Sequence, residues 1–246
     1  MMEERNSIYF ASDFHLGSPN HQESLIREKK ICNWLENIKK SAKEIYLVGD
    51  VFDFWFEYQN AIPKGFERFK GKIAELTDVG IKIHFFPGNH DLWTFGYLEK
   101  ELGIIVHRKP LIKTINEKTF YITHGDGLGP SSVKYKILKS FFTNRISQWL
   151  FSMLHPDLGI KLAQTWSRKS RKKGGQIDKE KLKNDLVAYS KKILTNTDIN
   201  YFIFGHIHQP IEIELTPSSK YINLGDWITH FSYLEFQESN LLFKYF

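Results

Sequence analysis

Five apolar runs in this chain each end in a short cluster of Asp, Asn and His, and this repeated pattern constrains the fold more than any other feature. The clusters lie at residues 13–15, 49–53, 88–91, 124–126 and 205–208. Each follows a run with the composition of a buried strand, such as residues 8–11 before Asp13. Because ligand sites in open α/β sheets form at the carboxyl ends of strands, we expect the five clusters to meet at one place.

The order of the apolar runs predicts an α/β fold. Strand-like runs at residues 8–11, 44–48 and 81–86 alternate with helical patterns at 23–40 and 66–78, which is the period of βαβ units. Further strand-like runs follow at these positions: 104–106, 110–115, 119–123, 201–204, 211–215, 221–224, 233–236 and 241–246. The last four have the spacing of a meander. Because 246 residues suit one α/β core with an insertion, we expect residues 1–246 to form one domain.

One segment interrupts this pattern. From about residue 131 to 192 the sequence reads as long helical stretches broken by Pro156 and by Gly174-Gly175, which predicts a helical insertion. The formal charge of the chain is +6, and residues 161–192 contribute +8 of it through eleven Lys/Arg against three Asp/Glu. The basic character therefore belongs to this segment.

Several classes of protein are disfavoured by the sequence. The first ten residues run through charges into a strand, with no apolar stretch of signal-peptide or membrane-span form, so we expect a cytoplasmic protein. The single cysteine, Cys32, rules out an internal disulfide and a zinc cluster built from cysteines.

The residue types in the five clusters are those of a metal site. Carboxylates, imidazoles and one amide suit Mn²⁺, Fe²⁺ or Zn²⁺, and they are too many for one tetrahedral ion. Two ions that share a bridging carboxylate would use all of them and would clamp both oxygens of an in-line displacement on a phosphate ester. The candidate ligands are Asp13, His15, Asp50, Asn89, His124, His206 and His208.

The chain resembles the calcineurin-like metallophosphoesterase family in an ordered set of motifs, which are D-x-H, GD-x-x-D, GNH-D, H and GH-x-H. The resemblance implies a two-sheet α/β/β/α sandwich and two divalent ions, with Mn²⁺ the first expectation and Fe²⁺ or Zn²⁺ the alternatives. It implies that Asp13, His15, Asp50 and His208 hold the first ion, and that Asp50, Asn89, His124 and His206 surround the second. Asn89 and His90 would contact the phosphate, with His90 as the catalytic residue and Asp91 orienting it. Asp53 and Asp126 would orient the ligands, or they are ordinary turn acids.

Three runs resemble the branch of UDP-2,3-diacylglucosamine pyrophosphohydrolases, namely S-D-F-H-L-G, V-G-D-V-F-D-F-W-F and H-G-D-G-L. That branch serves lipid A synthesis, releases UMP and a diacylglucosamine 1-phosphate, and covers its metal site with a helical insertion that holds the acyl chains. The chain departs from the branch at His90, where arginine is usual. Another nucleotide-sugar, phosphodiester or phospholipid precursor therefore stays open as substrate, and so does a scaffold of the same fold without turnover.

The insertion admits more than one interpretation. Its apolar residues, Trp149 among them, either bury each other in a helical hairpin or bind lipid tails. Lys169, Ser170 and Arg171 lie in the basic run, which is either a solvated face or a contact for the diphosphate and an anionic membrane surface. Nucleic acid is the less favoured partner, because the neighbouring aromatic residues stand in an aliphatic setting. We expect a protein that associates peripherally with the inner membrane.

Overall fold

The computed structural model describes residues 5–163, 165 and 179–246, and it contains two mixed β-sheets. The first sheet has the strand order β11-β10-β1-β2-β3-β4 and the second has the order β5-β6-β7-β9-β8. The strands are β1 (Ser7–Ala11), β2 (Ala42–Leu47), β3 (Lys82–Phe85), β4 (Ile105–Val106), β5 (Leu111–Ile115), β6 (Lys118–Ile122), β7 (Tyr201–Phe204), β8 (Pro210–Thr216), β9 (Ser219–Leu224), β10 (Ser232–Gln237) and β11 (Asn240–Tyr245).

The strand directions bring all the predicted clusters to one edge of the sandwich. In the first sheet β1, β2, β3 and β4 run parallel, and in the second sheet β6, β7 and β9 run parallel. The segments that leave β1, β2 and β3 therefore start on the same side of the first sheet, and those that leave β6, β7 and β9 start on one side of the second.

Helices pack on both outer faces of the sandwich and also form part of the predicted insertion. They are α1 (His21–Ile38), α2 (Glu67–Asp78), α3 (Tyr97–Leu102), α4 (Val133–Thr143), α5 (Arg145–Ser152) and α6 (Lys179–Leu194), with a 3₁₀ turn at Pro130–Ser132. Residues 156–163 are also helical. Helix α1 begins before the predicted Glu23, because the Asn20 side chain accepts a hydrogen bond from the Glu23 amide at 3.0 Å and so caps the first turn.

Alternation along the strands builds three apolar layers. Ile8 and Phe10 of β1 pack between the two sheets, whereas Tyr9 of the same strand packs with the α1 and α2 side of the first sheet. On the second sheet Phe202 packs with Leu186 of α6. Because neighbouring side chains on a strand point to opposite faces, this arrangement gives four layers in the order helix, sheet, sheet, helix. The prediction of a two-sheet α/β/β/α sandwich is confirmed.

Helices α4 and α5 and the helical residues 156–163 lie in the predicted insertion between β6 and β7. The insertion bounds and the single domain stay predictions. Lys169, Ser170 and Arg171 lie outside the described residues. Among the helices that the structure describes, none has the length and apolar character needed to cross a membrane.

Candidate metal centre

Backbone hydrogen bonds tie the loops after β1 and β2 into one unit. The Asp13 amide donates to the Gly49 carbonyl at 3.0 Å, and the His15 amide donates to the Asp50 carbonyl at 2.9 Å. From the second sheet, the Gly205 amide donates to the His124 carbonyl at 3.0 Å. These bonds fix where each loop projects its side chain.

Five of the predicted ligands stand in the left-handed region of backbone conformation. The φ angles of Asp13, His15, Asp50, His206 and His208 are 56°, 45°, 52°, 74° and 59°. A residue with a Cβ rarely adopts such angles, and each instance costs of order 1–3 kcal/mol unless its surroundings enforce it. Strain of this kind concentrates at functional sites, so its presence at five predicted ligands supports a site here.

The first predicted ligand group converges in the structure. Asp13, His15, Asp50 and His208 each offer one ligand atom, and these four atoms lie within 4.8 Å of one another. The Nε2 atoms of His15 and His208 are 3.1 Å apart, and Nε2 of His208 is 3.3 Å from Oδ1 of Asp13. Two imidazole nitrogens and two carboxylates turned towards one point form a set that suits a divalent cation.

The second group converges around the same carboxylate. Asp50, His124 and His206 offer ligand atoms within 4.8 Å of one another, and Nε2 of His124 is 3.3 Å from Oδ2 of Asp50. Nδ1 of His124 lies 2.8 Å from the Val48 carbonyl, which is placed to accept its proton, so Nε2 is the ring nitrogen that faces Asp50. Asp50 belongs to both groups and is placed to bridge them.

A buried amide oxygen, that of Asn89, lies in the segment that contacts Asp50, because the amide of the next residue, His90, donates to Oδ1 of Asp50 at 2.9 Å. Oδ1 of Asn89 is buried and has no hydrogen-bond partner among the described residues. Such an acceptor costs about 1–3 kcal/mol when it stays unpaired, whereas an amide oxygen is an acceptable ligand for a divalent ion. The residues present therefore fit two metal ions.

Electrostatics at the site favour cations. Although burial opposes it, the Asp50 carboxylate raises the pKa of His124 to about 10. The negative charge that attracts a proton to His124 would equally attract a metal ion, which has to displace that proton. Burial lowers the pKa of His206 to about 4, so its imidazole is neutral at pH 7, the form that binds metals.

His90 and Asp91 follow Asn89 directly and have different surroundings. Nδ1 of His90 is 3.0 Å from the carbonyl oxygen of Asp53, and the ring makes an edge contact with His15 at 4.9 Å between centroids. The Asp91 carboxylate accepts backbone N–H bonds from Gly88 and Val51, both at 2.7 Å. Asp91 thereby joins the loops after β2 and β3, and the Asp53 carbonyl holds the His90 ring.

The two predicted orienting acids contact the site in different ways. Oδ1 of Asp53 lies 3.5 Å from Nδ1 of His15, the ring nitrogen that faces away from the first group. Oδ2 of Asp126 instead accepts from the Tyr135 hydroxyl at 2.8 Å and from Nζ of Lys139 at 2.7 Å. Asp53 thus stands beside a ligand ring, and Asp126 connects the site to α4.

A sixth loop, after β9, was not predicted from the sequence. Oδ2 of Asp226 lies 3.4 Å from Nδ1 of His208, and Oδ1 accepts the amide of Thr229 at 2.8 Å. The Trp227 amide donates to the Asp13 carbonyl at 3.1 Å and so attaches this loop to the first one. The signal was present, because Leu224-Gly225-Asp226 repeats the form of Val48-Gly49-Asp50 at the end of a strand.

Two glycines permit the close approach of the loops. A Cβ on Gly88 would overlap the carboxylate and backbone nitrogen of Asp50, and a Cβ on Gly205 would lie 2.6 Å from Oδ2 of Asp13. Contacts this short do not occur with real side chains, so the loops can pack in this way only with glycine at both positions.

An apolar cavity of about 400 Å³ opens beside the metal-ligand groups. Its polar end is formed by Asp53, Asn89 and His90, and its wall comes from both the core loops and the insertion. The remaining lining residues are Phe54, Trp55, Leu92, Trp93, Tyr135, Leu138, Lys139, Phe142, Phe151, Leu162 and Ala163. A cavity with one polar end and long apolar walls fits an amphipathic molecule.

The predicted insertion contacts fall in different places. Trp149 of α5 is 60% exposed and is not among the residues that line the cavity. Phe142 of α4 and Phe151 of α5 do line it. The ring centroids of Phe151 and Trp93 are 4.7 Å apart, and the Trp93 indole N–H donates to the Phe142 carbonyl at 2.8 Å. The insertion therefore packs on the loop after β3 through these aromatic residues.

Comparison with known proteins agrees with this geometry. A family model described as calcineurin-like phosphoesterase matches residues 7–210. A protein of Porphyromonas gingivalis named UDP-2,3-diacylglucosamine hydrolase is 38% identical over 98% of this chain and 97% of its own length. Proteins with the same name from Actinobacillus succinogenes and Histophilus somni are 24% and 27% identical, over 97% and 96% of this chain and over 99% and 98% of their own.

Proposed function

Because this chain belongs to the calcineurin-like phosphoesterase family, we propose that it hydrolyses the diphosphate bond of UDP-2,3-diacylglucosamine to UMP and 2,3-diacylglucosamine 1-phosphate. Family membership makes the chain a metal-dependent hydrolase. The substrate comes from the relatives that bear its name, and the reaction would place the protein in lipid A biosynthesis.

Six converging residues and Asn89 are proposed as the ligands of two divalent ions. Asp13, His15 and His208 would hold one, His124, His206 and Asn89 the other, and Asp50 would bridge them. Ions held in this way lower the pKa of a bound water and neutralise charge on a phosphate. We expect Mn²⁺, because a mixed set of carboxylate, imidazole and amide ligands does not require the softer metals.

His90 is proposed to stabilise or protonate the group that leaves. Burial lowers the pKa of His90 to about 4, so the imidazole is neutral at pH 7 and donates one N–H. Since Nδ1 faces the Asp53 carbonyl, the one proton of the neutral imidazole lies on Nδ1, and Nε2 has to accept a proton before it can protonate the leaving phosphate.

The cavity is the observation that carries the choice of substrate. A sugar with two acyl chains needs an apolar space next to the phosphate-cleaving centre, and this cavity is lined both by Asn89 and His90 and by Phe142 and Phe151. A soluble nucleotide sugar would leave most of that apolar wall exposed to water. A scaffold without turnover would have no need of six ligand-type side chains in converging positions.

The test is UMP release by the purified protein with Mn²⁺. We expect release from UDP-2,3-diacylglucosamine, much less from UDP-N-acetylglucosamine, and none after chelation. Asp50→Ala and His124→Ala are expected to abolish release while circular dichroism shows a folded protein. Equal rates on the two substrates would remove the acyl chains from the proposal, and turnover in the chelated protein would contradict the metal centre.

We also propose that the insertion contacts a membrane surface, where a diacylated substrate resides. Helices α4 and α5 carry no acidic residue, and Ile146 and Met153 are 67% and 69% exposed. Exposed apolar side chains among basic ones favour an anionic lipid surface.

Sedimentation with vesicles that contain anionic lipid tests this contact. The double variant Ile146→Ser/Met153→Ser is expected to lower the bound fraction several-fold. Leu242→Ser, which changes an exposed apolar residue on β11, serves as the control and should bind as the unaltered protein does. Equal binding by the double variant would contradict a membrane contact through α5.

A further inference from the structure

Lys139 of α4 stands where the cavity meets the metal centre. Its Nζ lies 2.7 Å from Oδ2 of Asp126, two residues beyond the ligand His124, and the lysine lines the cavity together with Asn89 and His90. Among the described residues that line this cavity, Lys139 is the one with a permanent positive charge. Lys139 is therefore the residue of this cavity lining that is placed to bind an anion.

We propose that Lys139 binds the phosphate that stays with the acylated sugar, which makes the site selective for a diphosphate over a simple phosphodiester. The inference rests on the proposed function. Hydrolysis adds a water oxygen to the uridine-linked phosphorus and breaks the P–O bond to the second phosphate, which leaves with the electron pair. The protons of the water pass to solvent, and the departing sugar phosphate gains negative charge.

The position of the second phosphate follows from the two ends of the substrate. The acyl chains occupy the apolar wall around Phe142 and Phe151, and the phosphorus under attack lies at the ligand groups. The second phosphate is bonded to both parts and therefore lies between them, at the end of the cavity lined by Asn89, His90 and Lys139. An ammonium there forms charge-assisted hydrogen bonds to its oxygens.

The surroundings of Asp126 allow Lys139 to serve a ligand without leaving a buried charge unpaired. Oδ2 of Asp126 also accepts the hydroxyl of Tyr135 at 2.8 Å, which stabilises the carboxylate that holds the ammonium. An ammonium has three N–H groups, and the bond to Asp126 uses one of them. Asp126 therefore holds the cation in place, and the other N–H groups are left for phosphate oxygens.

The test compares two substrates that share UMP. One is UDP-2,3-diacylglucosamine, and the other is the 4-nitrophenyl ester of UMP, which lacks the second phosphate. Lys139→Met is expected to lower kcat/KM for the diphosphate at least 10-fold more than for the ester. Lys139→Arg should recover most of the difference, because it keeps the charge. Lys136→Met, one turn earlier on α4 and outside the cavity lining, is the matched control.

The outcomes separate the two proposals. Equal losses on both substrates would mean that Lys139 acts on the shared metal centre through Asp126, and they would overturn its assignment to the second phosphate. No UMP release from the diphosphate by the unaltered protein, with turnover of the ester, would overturn the proposed function and the Lys139 assignment together. A selective loss that arginine repairs would support both.

Discussion

At the scale of single residues, the site depends on side chains that hold other side chains. His208 illustrates this, because one ring nitrogen faces Asp13 and His15 while the other faces Asp226. A carboxylate behind a metal-binding imidazole fixes its ring and raises its basicity, and losing such a partner typically costs 10–100-fold in metal affinity. Asp226 therefore belongs to the centre although it is not a candidate ligand.

Replacing Asp226 by Asn tests this role. The variant keeps an oxygen for the Thr229 amide, so the turn should stay intact, but the charge behind His208 is lost. We expect Mn²⁺ affinity measured by titration calorimetry to fall about 10-fold for one of two ions. Asp198→Asn, at an exposed acid, is the control. An Asp226→Asn protein that binds both ions with unchanged affinity would show that the contact is incidental.

At the scale of elements, the sequence predicted the parts of the site that lie at strand ends. The apolar runs and the clusters that follow them could be recognised directly in the sequence. A strand that is buried on both faces is apolar along its length, so the polar residues begin in the loop that follows it. Asp226 was missed because its strand was grouped with the C-terminal meander, although β9 pairs in parallel with β7. The wall of the cavity could not be predicted, since helical periodicity shows that α4 and α5 are apolar but not which loop they cover.

The loop after β3 gives a prediction at this scale. Gly88→Ala places a methyl group against the carboxylate of Asp50, the residue shared by both ligand groups. Because the backbone of Asp50 is in contact as well, the two loops have to separate. We expect Mn²⁺ binding and UMP release to fall by two orders of magnitude or more.

The control for this variant is Gly71→Ala in α2, where nothing lies within 4 Å of the added methyl group. Alanine is favoured over glycine in a helix interior, so this change should raise the free energy of unfolding by about 0.5–1 kcal/mol. A Gly88→Ala protein with normal metal content would contradict the tight packing of the two loops.

At the scale of the whole molecule, one buried ionic cluster links the two sheets away from the metal centre. Glu44 of β2 and Lys113 of β5 are 2.6 Å apart, and the Tyr46 hydroxyl and the His84 ring also approach the carboxylate. Burial alone would raise the pKa of Glu44, but the contacts with His84, Lys113 and Tyr46 outweigh it and hold the pKa well below its usual range. The cluster therefore stabilises the pairing of the sheets through a charged carboxylate.

A depressed pKa fixes how stability responds to pH. Above about pH 4.5 the carboxylate is charged in both folded and unfolded chains and its contacts contribute in full. As the pH falls through that value the unfolded chain binds a proton that the folded protein excludes, and the contribution is lost. We expect Glu44→Gln to lower the free energy of unfolding by about 1–3 kcal/mol at pH 7 and by progressively less towards pH 3.

Denaturant titrations at several pH values measure this difference. Glu212→Gln breaks the exposed pair between Glu212 of β8 and Lys220 of β9, and it is expected to change the free energy of unfolding by less than about 1 kcal/mol at any pH. A Glu44→Gln effect that is the same at pH 3 and pH 7 would contradict a charged carboxylate in the folded protein.

The ligand groups draw on both ends of the chain, and this has a consequence for biosynthesis. Asp13, His15 and Asp50 emerge early from the ribosome, whereas the group they belong to is completed only by His208. The second group likewise waits for His206. A nascent chain thus lacks part of each ligand group until residue 208 has been made, so we expect truncated chains that end before His206 to bind metal poorly.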